Sequence, residues 1–177
     1  MTAPEFSRPV ALDTIGETPR TMTIAADADE RAALAKRFAL IAIDRLAADA
    51  ALARRGDVVT ARGKLRAAVT QSCVASGAPV PAEIDEAFEI AFHPQPADSP
   101  PDEEVELGHD DLDVVFYTGG SIDLGEAVAE TLALALDPYP RAPDAEAALK
   151  AAGVKSEEEA GPFGALTGLR DKLTGKE

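Results

Sequence analysis

The stretch SIDLGEAVAETLALALDPYPRAP, residues 121–143, predicts an amphipathic helix with a marked start and a marked end. Its larger aliphatic residues recur every four positions and so lie on one helical stripe: Leu124, Val128, Leu132 and Leu136. Asp123 is placed to cap the first turn, and Glu126 three residues later completes a capping-box-like pair. Because proline cannot continue a helix, the segment Asp137-Pro138-Tyr139-Pro140 ends it.

The segment Val58–Cys73 predicts a half-buried strand that follows a turn at Arg55-Gly56-Asp57. Alternate residues of a strand face opposite sides of a sheet. The face expected to be buried carries Val59, Ala61, Gly63, Leu65, Ala67 and Val69. The other face carries Val58, Thr60, Arg62, Lys64 and Arg66, so three cations line one exposed side.

Two further segments alternate in the same manner. The first, Ile84–Phe92, places Ile84, Phe88, Ile90 and Phe92 on one face, which only Glu86 interrupts. A helix remains an alternative there because Ile84 and Phe88 are four residues apart. The second is predicted to turn Leu112, Val114 and Phe116 inward and to end at Gly119-Gly120.

The N-terminal half predicts a strand, a helix and a return to strand. Thr21–Ala25 is the first strand, and Asp27 or Asp29 then caps a helix that has Phe38 near its end. Ile41–Ala53 is expected to return as one or two short strands, although its alanine-rich part, Leu46–Ala53, suits helix and strand equally.

Strands in succession with short connections, together with two main helices, indicate an α+β fold with a largely antiparallel sheet and a partly flexible C-terminal tail. The predicted parts are a lead-in segment at 1–20, a single α+β domain at 21–141 with an acidic, proline-rich loop at 94–111, and a tail at 142–177 with short helices. Phe6 and Val10 are candidate docking points of the lead-in segment. In the tail, Asp144–Ala152 predicts one short helix, and Phe163–Leu173 predicts another with one apolar edge.

The charge of the chain is strongly acidic and unevenly distributed. The formal net charge of −15 opposes nucleic-acid binding, which gains affinity when Lys and Arg replace phosphate counterions. Between Glu83 and Asp113 there are twelve acidic residues and no Lys or Arg. The stretch from Arg54 to Arg66 instead holds one acidic residue and five basic ones: Arg54, Arg55, Arg62, Lys64 and Arg66.

Three features indicate a cytoplasmic protein. The N-terminus shows no charged-then-apolar export signal, and the chain has a single Cys. Its longest strongly apolar run, Phe38–Ile43, is far shorter than the about 20 residues that cross a bilayer.

Three short motifs stand in order over roughly residues 65–170. They are Val69-Thr70-Gln71-Ser72-Cys73-Val74, then Ile122-Asp123-Leu124-Gly125-Glu126 through Pro138-Tyr139-Pro140-Arg141, and finally Pro162-Phe163-Gly164-Ala165-Leu166. Together they resemble the YceD family, the large ribosomal RNA subunit accumulation proteins. The resemblance implies a non-enzymatic factor that supports accumulation of large-subunit ribosomal RNA. Its motif residues here are Cys73, Asp123, Leu124, Glu126, Pro138, Tyr139 and Pro140.

The cysteines depart from the pattern of the family that the chain resembles. Many members carry a second Cys three residues after the first, and some carry more near the tyrosine–proline segment, whereas here Ser76 follows Cys73 at that spacing. A structural zinc site needs about four Cys or His ligands, and this chain offers Cys73, His93 and His109. We therefore expect no metal and no other cofactor, and we expect Cys73 to be a small buried residue rather than a reactive thiol.

Two kinds of partner suit the charge pattern, and neither is a membrane or a small-molecule substrate. In one hypothesis, the basic residues Arg54, Arg55, Arg62, Lys64 and Arg66 contact ribosomal RNA; the alternative for them is a solvated face balanced by acids on neighbouring strands. In the other, the Glu83–Asp113 stretch shields a basic large-subunit ribosomal protein, with Phe163 and Leu166 as a second contact. The alternative for the acidic stretch is a solvating loop.

The sequence offers little for catalysis. No P-loop Lys follows Gly119-Gly120, and neither a G-x-S-x-G elbow nor an H-E-x-x-H motif occurs. Capping and the helix dipole account for Asp123 and Glu126 without acid–base chemistry. We therefore expect a protein that is not an enzyme, and an acidic interaction scaffold unrelated to ribosomes is the alternative to a ribosomal factor.

Overall fold

The structure, a computed structural model, describes residues 4–96 and 113–154. These residues form β1 Pro9–Ala11, β2 Arg20–Ala25, α1 Ala28–Arg37, β3 Ala42–Arg55, β4 Val58–Ser72, β5 Pro79–Pro94, β6 Val114–Tyr117, β7 Ser121–Asp123, α2 Leu124–Ala135 and α3 Ala145–Ala151. A single 3-10 turn, Leu12–Thr14, follows β1. The predictions for Leu112, most of the acidic loop, and Phe163–Leu173 lie outside the described residues.

The main sheet has five strands in the order β2-β3-β4-β5-β6. The pairs β2–β3 and β3–β4 are antiparallel, whereas β6 runs parallel to the end of β5. A second sheet consists of β1 and β7 paired antiparallel. The prediction of an α+β fold with a largely antiparallel sheet is confirmed. The described residues hold three helices where the sequence predicts two main ones, because the short helix predicted in the tail forms as α3.

Pairing on both sides decides the ambiguous segments. The alanine-rich residues of β3 form one continuous strand of 14 residues, since β2 and β4 flank them in register. Gly56, with a φ of 60°, makes the tight turn between β3 and β4, a backbone conformation that favours glycine. The segment Ile84–Phe92 lies within β5 and is a strand rather than a helix.

The core lies between one face of the main sheet and the helices α1 and α2. The alternation predicted for β4 is confirmed, because Val59, Ala61, Leu65 and Ala67 are fully buried while Arg62, Lys64 and Arg66 are exposed. Three members of the stripe predicted for α2 are fully buried, Leu124, Val128 and Leu132, while Leu136 is the C-cap and is partly buried. Other members of the core are Phe6, Leu34, Leu46, Leu52, Ile90 and Phe92.

The predicted inner face of β6 is wrong. Phe116 is 59% exposed, while Val115 and Tyr117 pack against the core. The reason is the parallel register with β5, in which the buried Phe92 lies beside Val115 and His93 lies beside Phe116. Residues paired in a sheet share a face, so the partner strand sets the phase of β6.

The predicted N-cap of α2, Asp123, is confirmed, whereas the predicted capping-box pair with Glu126 is not formed. Ser121–Asp123 forms β7, so the helix begins at Leu124 with Asp123 as its N-cap. The side chain of Glu126 does not close a capping box but pairs with Arg37. A full capping box is present instead at the start of α1, where Asp27 and Glu30 bond reciprocally.

The described residues divide into two compact units, one made of 4–71 and 81–138 and the other of 72–80 and 139–154. The second unit has a small core of its own, formed by Cys73, Ala142 and Ala145. Two backbone hydrogen bonds stabilise this unit, from Cys73 N–H to the Ala78 carbonyl (2.8 Å) and from Val74 N–H to the Pro140 carbonyl (2.9 Å).

Candidate functional site

The exposed face of β4 brings three of the predicted contact residues together, and each of them meets a carboxylate. Arg62 lies 2.6 Å from Glu89, and Lys64 lies 2.8 Å from Asp85, both on β5. Arg66 lies 2.8 Å from Asp49 on β3. A fourth ion pair on this face joins Arg45 and Glu83 at 2.7 Å. The cations therefore alternate with acids, which is the balanced outer face that the sequence leaves open as an alternative.

These ion pairs neutralise the charge of the β4 face but contribute little to stability. The side chains are 41–71% exposed, and exposed pairs contribute about 0–1 kcal/mol each. Asp49 also accepts a hydrogen bond from the Thr23 hydroxyl at 2.7 Å. That bond, together with the Arg66 guanidinium, lowers the pKa of Asp49 and keeps it charged. The β4 face is thus close to electrically neutral.

The other two predicted cations lie at the β3–β4 turn and act differently. The Arg54 guanidinium donates to the carbonyls of Gly56 (2.8 Å) and Leu12 (3.0 Å) and pairs with Asp57 at 3.5 Å. It therefore ties the turn to the N-terminal segment. Arg55 is exposed beside it. The five cations do not form one basic patch, because Arg54 is committed to backbone carbonyls.

The motif residue Asp123 is a junction between α2 and the N-terminal segment. Its Oδ1 accepts from the backbone N–H of Arg8 (2.8 Å), Gly125 (3.0 Å) and Glu126 (3.1 Å). Its Oδ2 accepts from the Ser7 hydroxyl at 2.5 Å. One carboxylate thus caps the helix and holds the incoming chain. The motif residue Leu124 is fully buried, and its N–H donates to the Arg8 carbonyl at 3.1 Å.

Two arginines that the sequence analysis did not single out extend this junction. Arg8 forms a two-bond contact with the Glu30 carboxylate, at 2.6 and 2.8 Å, and its guanidinium lies 4.6 Å from the centre of the Phe6 ring. Arg37 bridges Glu126 at 2.8 Å and Glu5 at 3.0 Å. Nothing local in the sequence signals these pairs, because their partners lie 22 to 89 residues away.

The Arg8–Glu30 pair makes stability depend on pH. The bond from Arg8 lowers the pKa of Glu30 below its ordinary value. A carboxyl group with a depressed folded-state pKa stabilises the fold above its unfolded pKa, about 4.3, and this contribution is lost as pH falls through the folded value. We expect Glu30→Gln, which can keep the capping-box bond, to lower the urea midpoint at pH 7, and we expect that deficit to shrink as the pH is lowered below about 4.3. A deficit that keeps the same size as the pH is lowered would show that the charge of Glu30 does not matter.

The first two motifs bond to one another. In the first unit, the buried Gln71 donates from Nε2 to the Asp137 carbonyl at 2.8 Å. In the second unit, the Ala142 N–H donates to Cys73 Sγ at 3.3 Å, beside the Val74–Pro140 bond. Pro140 is buried, whereas Tyr139 is 73% exposed and Pro138 is exposed. The role of the motif positions around Cys73 is therefore structural: their hydrogen bonds hold the chain at Cys73 beside the chain at Pro140.

Cys73 is buried, at 3% exposure. The N–H of Ala142 and then the hydroxyl of Ser76 lower the pKa of its thiol to about 7, against a smaller opposing effect of burial. Ser76 thus supports this thiol as a hydrogen-bond donor. Among residues 4–96 and 113–154, no three His, Cys, Asp or Glu side chains are grouped so that they could hold a metal ion.

The helices of the described segments are all too short or too polar to cross a membrane. Residues 61–170 match the family described as large ribosomal RNA subunit accumulation protein, YceD. That match spans more than half of the chain and includes the residues around Cys73 and Asp123. The chain belongs to the YceD family. Comparisons with curated proteins and with solved structures gave no match.

Proposed function

We propose that this protein is a non-enzymatic cytoplasmic factor in biogenesis of the large ribosomal subunit, and that it acts by binding a basic ribosomal protein rather than ribosomal RNA. The family description supports the ribosomal role, since it refers to accumulation of the large ribosomal RNA subunit and names no reaction. Accumulation of an RNA depends on the proteins that cover it as well as on direct contacts, so a protein partner is compatible with that description.

The choice of a protein partner over RNA rests on one observation, that the cations of β4 are paired with carboxylates. Arg62, Lys64 and Arg66 each contact a carboxylate at 2.6–2.8 Å. A phosphate group would have to displace those carboxylates, and the released acids would then repel the nucleic acid. The net charge of −15 adds to this cost. The same charge favours encounter with a basic protein.

Affinity capture of the tagged full-length protein from cells, with and without nuclease, tests this proposal. We expect a basic large-subunit ribosomal protein to be retained after nuclease treatment. We also expect retention to be unchanged when Arg62, Lys64 and Arg66 are all changed to Ala, since these cations are not the contact. Large-subunit RNA that disappears with nuclease and with the triple variant would instead establish the RNA hypothesis. Recovery of neither RNA nor ribosomal protein would favour the unrelated scaffold.

A further inference from the structure

Within the part of the chain that the structure describes, strand β5 has an open edge. It pairs with β6 only through Ala91–Pro94, and the described residues place no other strand on that side of it. The N–H groups of Ala91 and Gln95 donate towards β6, to Asp113 and Tyr117, each at 2.9 Å. Because backbone direction alternates along a strand, Asp85, Ala87 and Glu89 point their N–H groups to the same side. These backbone groups can pair with an added strand.

The sequence of β5 agrees with an edge position. Pro81 is in phase with Ala91, so the nitrogen that cannot donate lies on the open side. Proline is tolerated in a sheet where its nitrogen faces away from a neighbouring strand. The usable edge therefore runs from Glu83 to Ile90, long enough for a short strand.

An apolar groove of about 190 Å³ lies beside this edge and under the last turns of α2. Phe88 and Ile90 contribute buried side chains to it, at 8% and 4% exposure. Leu134 also lines the groove and is 83% exposed, the largest exposure among the exposed large apolar side chains of the described residues. An apolar side chain on an added strand can fill this groove and cover Leu134.

The groove has an acidic rim. Glu86 and Asp113 line it, and neither forms an ion pair within the described part of the chain. The C-terminal end of α2, at Thr131–Ala135, borders it as well and carries no basic residue in its last turn. Helix C-termini carry partial negative charge and attract cations. Three sources of negative potential thus surround an apolar floor.

We propose that a basic, extended segment of a partner protein adds to β5 as a strand, with an apolar side chain in the Leu134 groove and a cationic one at Glu86 and Asp113. The binding mode rests on the β5 edge and the groove with its acidic rim; that the partner is a ribosomal protein rests on the proposed function. The chain's own acidic segment and a second copy of the same acidic edge are disfavoured as occupants, because both would bring like charges together.

Binding of a nine-residue fluorescent peptide to the purified full-length protein tests the proposal; the peptide carries valine and lysine in turn at every second position, so that both lie on one strand face, and serine at the positions between. We expect saturable binding by anisotropy, at least tenfold tighter than that of the same peptide with glutamate in place of each lysine. Hydrogen exchange should then slow at the amides of Asp85, Ala87 and Glu89. If those amides are already protected without peptide, the chain or a second copy covers the edge, and sedimentation at two concentrations separates these two contrary outcomes.

Three variants locate the contact. Leu134→Ser changes an exposed side chain and is expected to weaken binding at least fivefold, whereas Ile41→Ser, which is 53% exposed elsewhere, should not. Ala87→Pro removes one edge N–H and should have a similar effect. Glu86→Gln should weaken binding more than Asp13→Asn, an exposed acid with the same change in net charge. The proposal would be overturned if Leu134→Ser weakened binding no more than Ile41→Ser, and Glu86→Gln no more than Asp13→Asn.

The peptide result and the capture result can fail separately. Nuclease-resistant capture that is unchanged by Leu134→Ser and Ala87→Pro would place a ribosomal partner elsewhere and reject this edge as its site. Peptide binding at the edge without any ribosomal protein in the capture experiment would keep the edge site and reject the ribosomal identity of its partner.

Discussion

Replacing Asp123 by Ala is expected to lower the free energy of unfolding by about 4 kcal/mol, since a helix cap is worth about 1 kcal/mol and each of the two hydrogen bonds to the N-terminal segment about 1.5 kcal/mol or more. The carboxylate accepts four hydrogen bonds, from Ser7, Arg8, Gly125 and Glu126, and two of them hold the N-terminal segment. The Ala variant loses the cap and the tether at once. Urea unfolding measures the loss, and amide exchange should rise first in residues 7–11.

Two controls separate the cap from the tether. Asp27→Ala removes the N-cap of α1, which accepts one capping bond from Glu30, and is expected to cost about 1 kcal/mol. Asp123→Asn keeps an acceptor oxygen and should cost less than Asp123→Ala. If Asp27→Ala and Asp123→Ala are equally destabilising, the bonds to Ser7 and Arg8 contribute nothing to stability.

The elements that the sequence predicts well are those with a strong local signal. The four-residue spacing of α2, the alternation of β4 and the glycine turn at Gly56 each arise within a few residues, and all three are confirmed. The length of β3 was not predictable, because its alanines give little contrast between a buried and an exposed face. The phase of β6 was also out of reach, because the register with β5 fixes it.

The candidate surfaces also combine features that local sequence predicts with features that only the fold determines. The exposure of Arg62, Lys64 and Arg66 follows from alternation, but the identity of their acidic partners depends on which strands are adjacent and in which register. The contacts of Arg8 and Arg37 required the fold itself. The groove beside β5 could not be seen in the sequence, because it joins a strand edge to the far end of a helix about 45 residues later.

The motif residues Asp123, Leu124 and Glu126 take on a structural meaning from these contacts. They hold the start of α2 against the N-terminal segment, through the bonds to Arg8 and the pair with Arg37. Changes at these positions are therefore expected to reduce the amount of folded protein. The partner contacts proposed above lie on other residues, so binding by the folded fraction should be retained.

Gly125 gives the second large prediction, in which the usual effect of a substitution is reversed. Ala in place of Gly normally stabilises a helix, by up to about 1 kcal/mol. Here an added Cβ would meet the carbonyl oxygen of Phe6 and would lie 2.9 Å from the backbone nitrogen of Arg8. Both are main-chain atoms that cannot rotate away. The N-terminal segment must move, which disturbs the fully buried Phe6 ring.

We expect Gly125→Ala to destabilise the protein by about 3 kcal/mol, at the upper end of the usual cost of overpacking. At about 2–4 °C for each kcal/mol, thermal unfolding should then begin roughly 10 °C lower. Gly120→Ala is the matched control, because its Cβ would have no heavy atom within 4 Å, and its midpoint should stay near that of the unchanged protein. A Gly125→Ala midpoint at or above that of the unchanged protein would mean that Phe6–Arg8 does not lie against this helix, and the junction at Asp123 would lose its support.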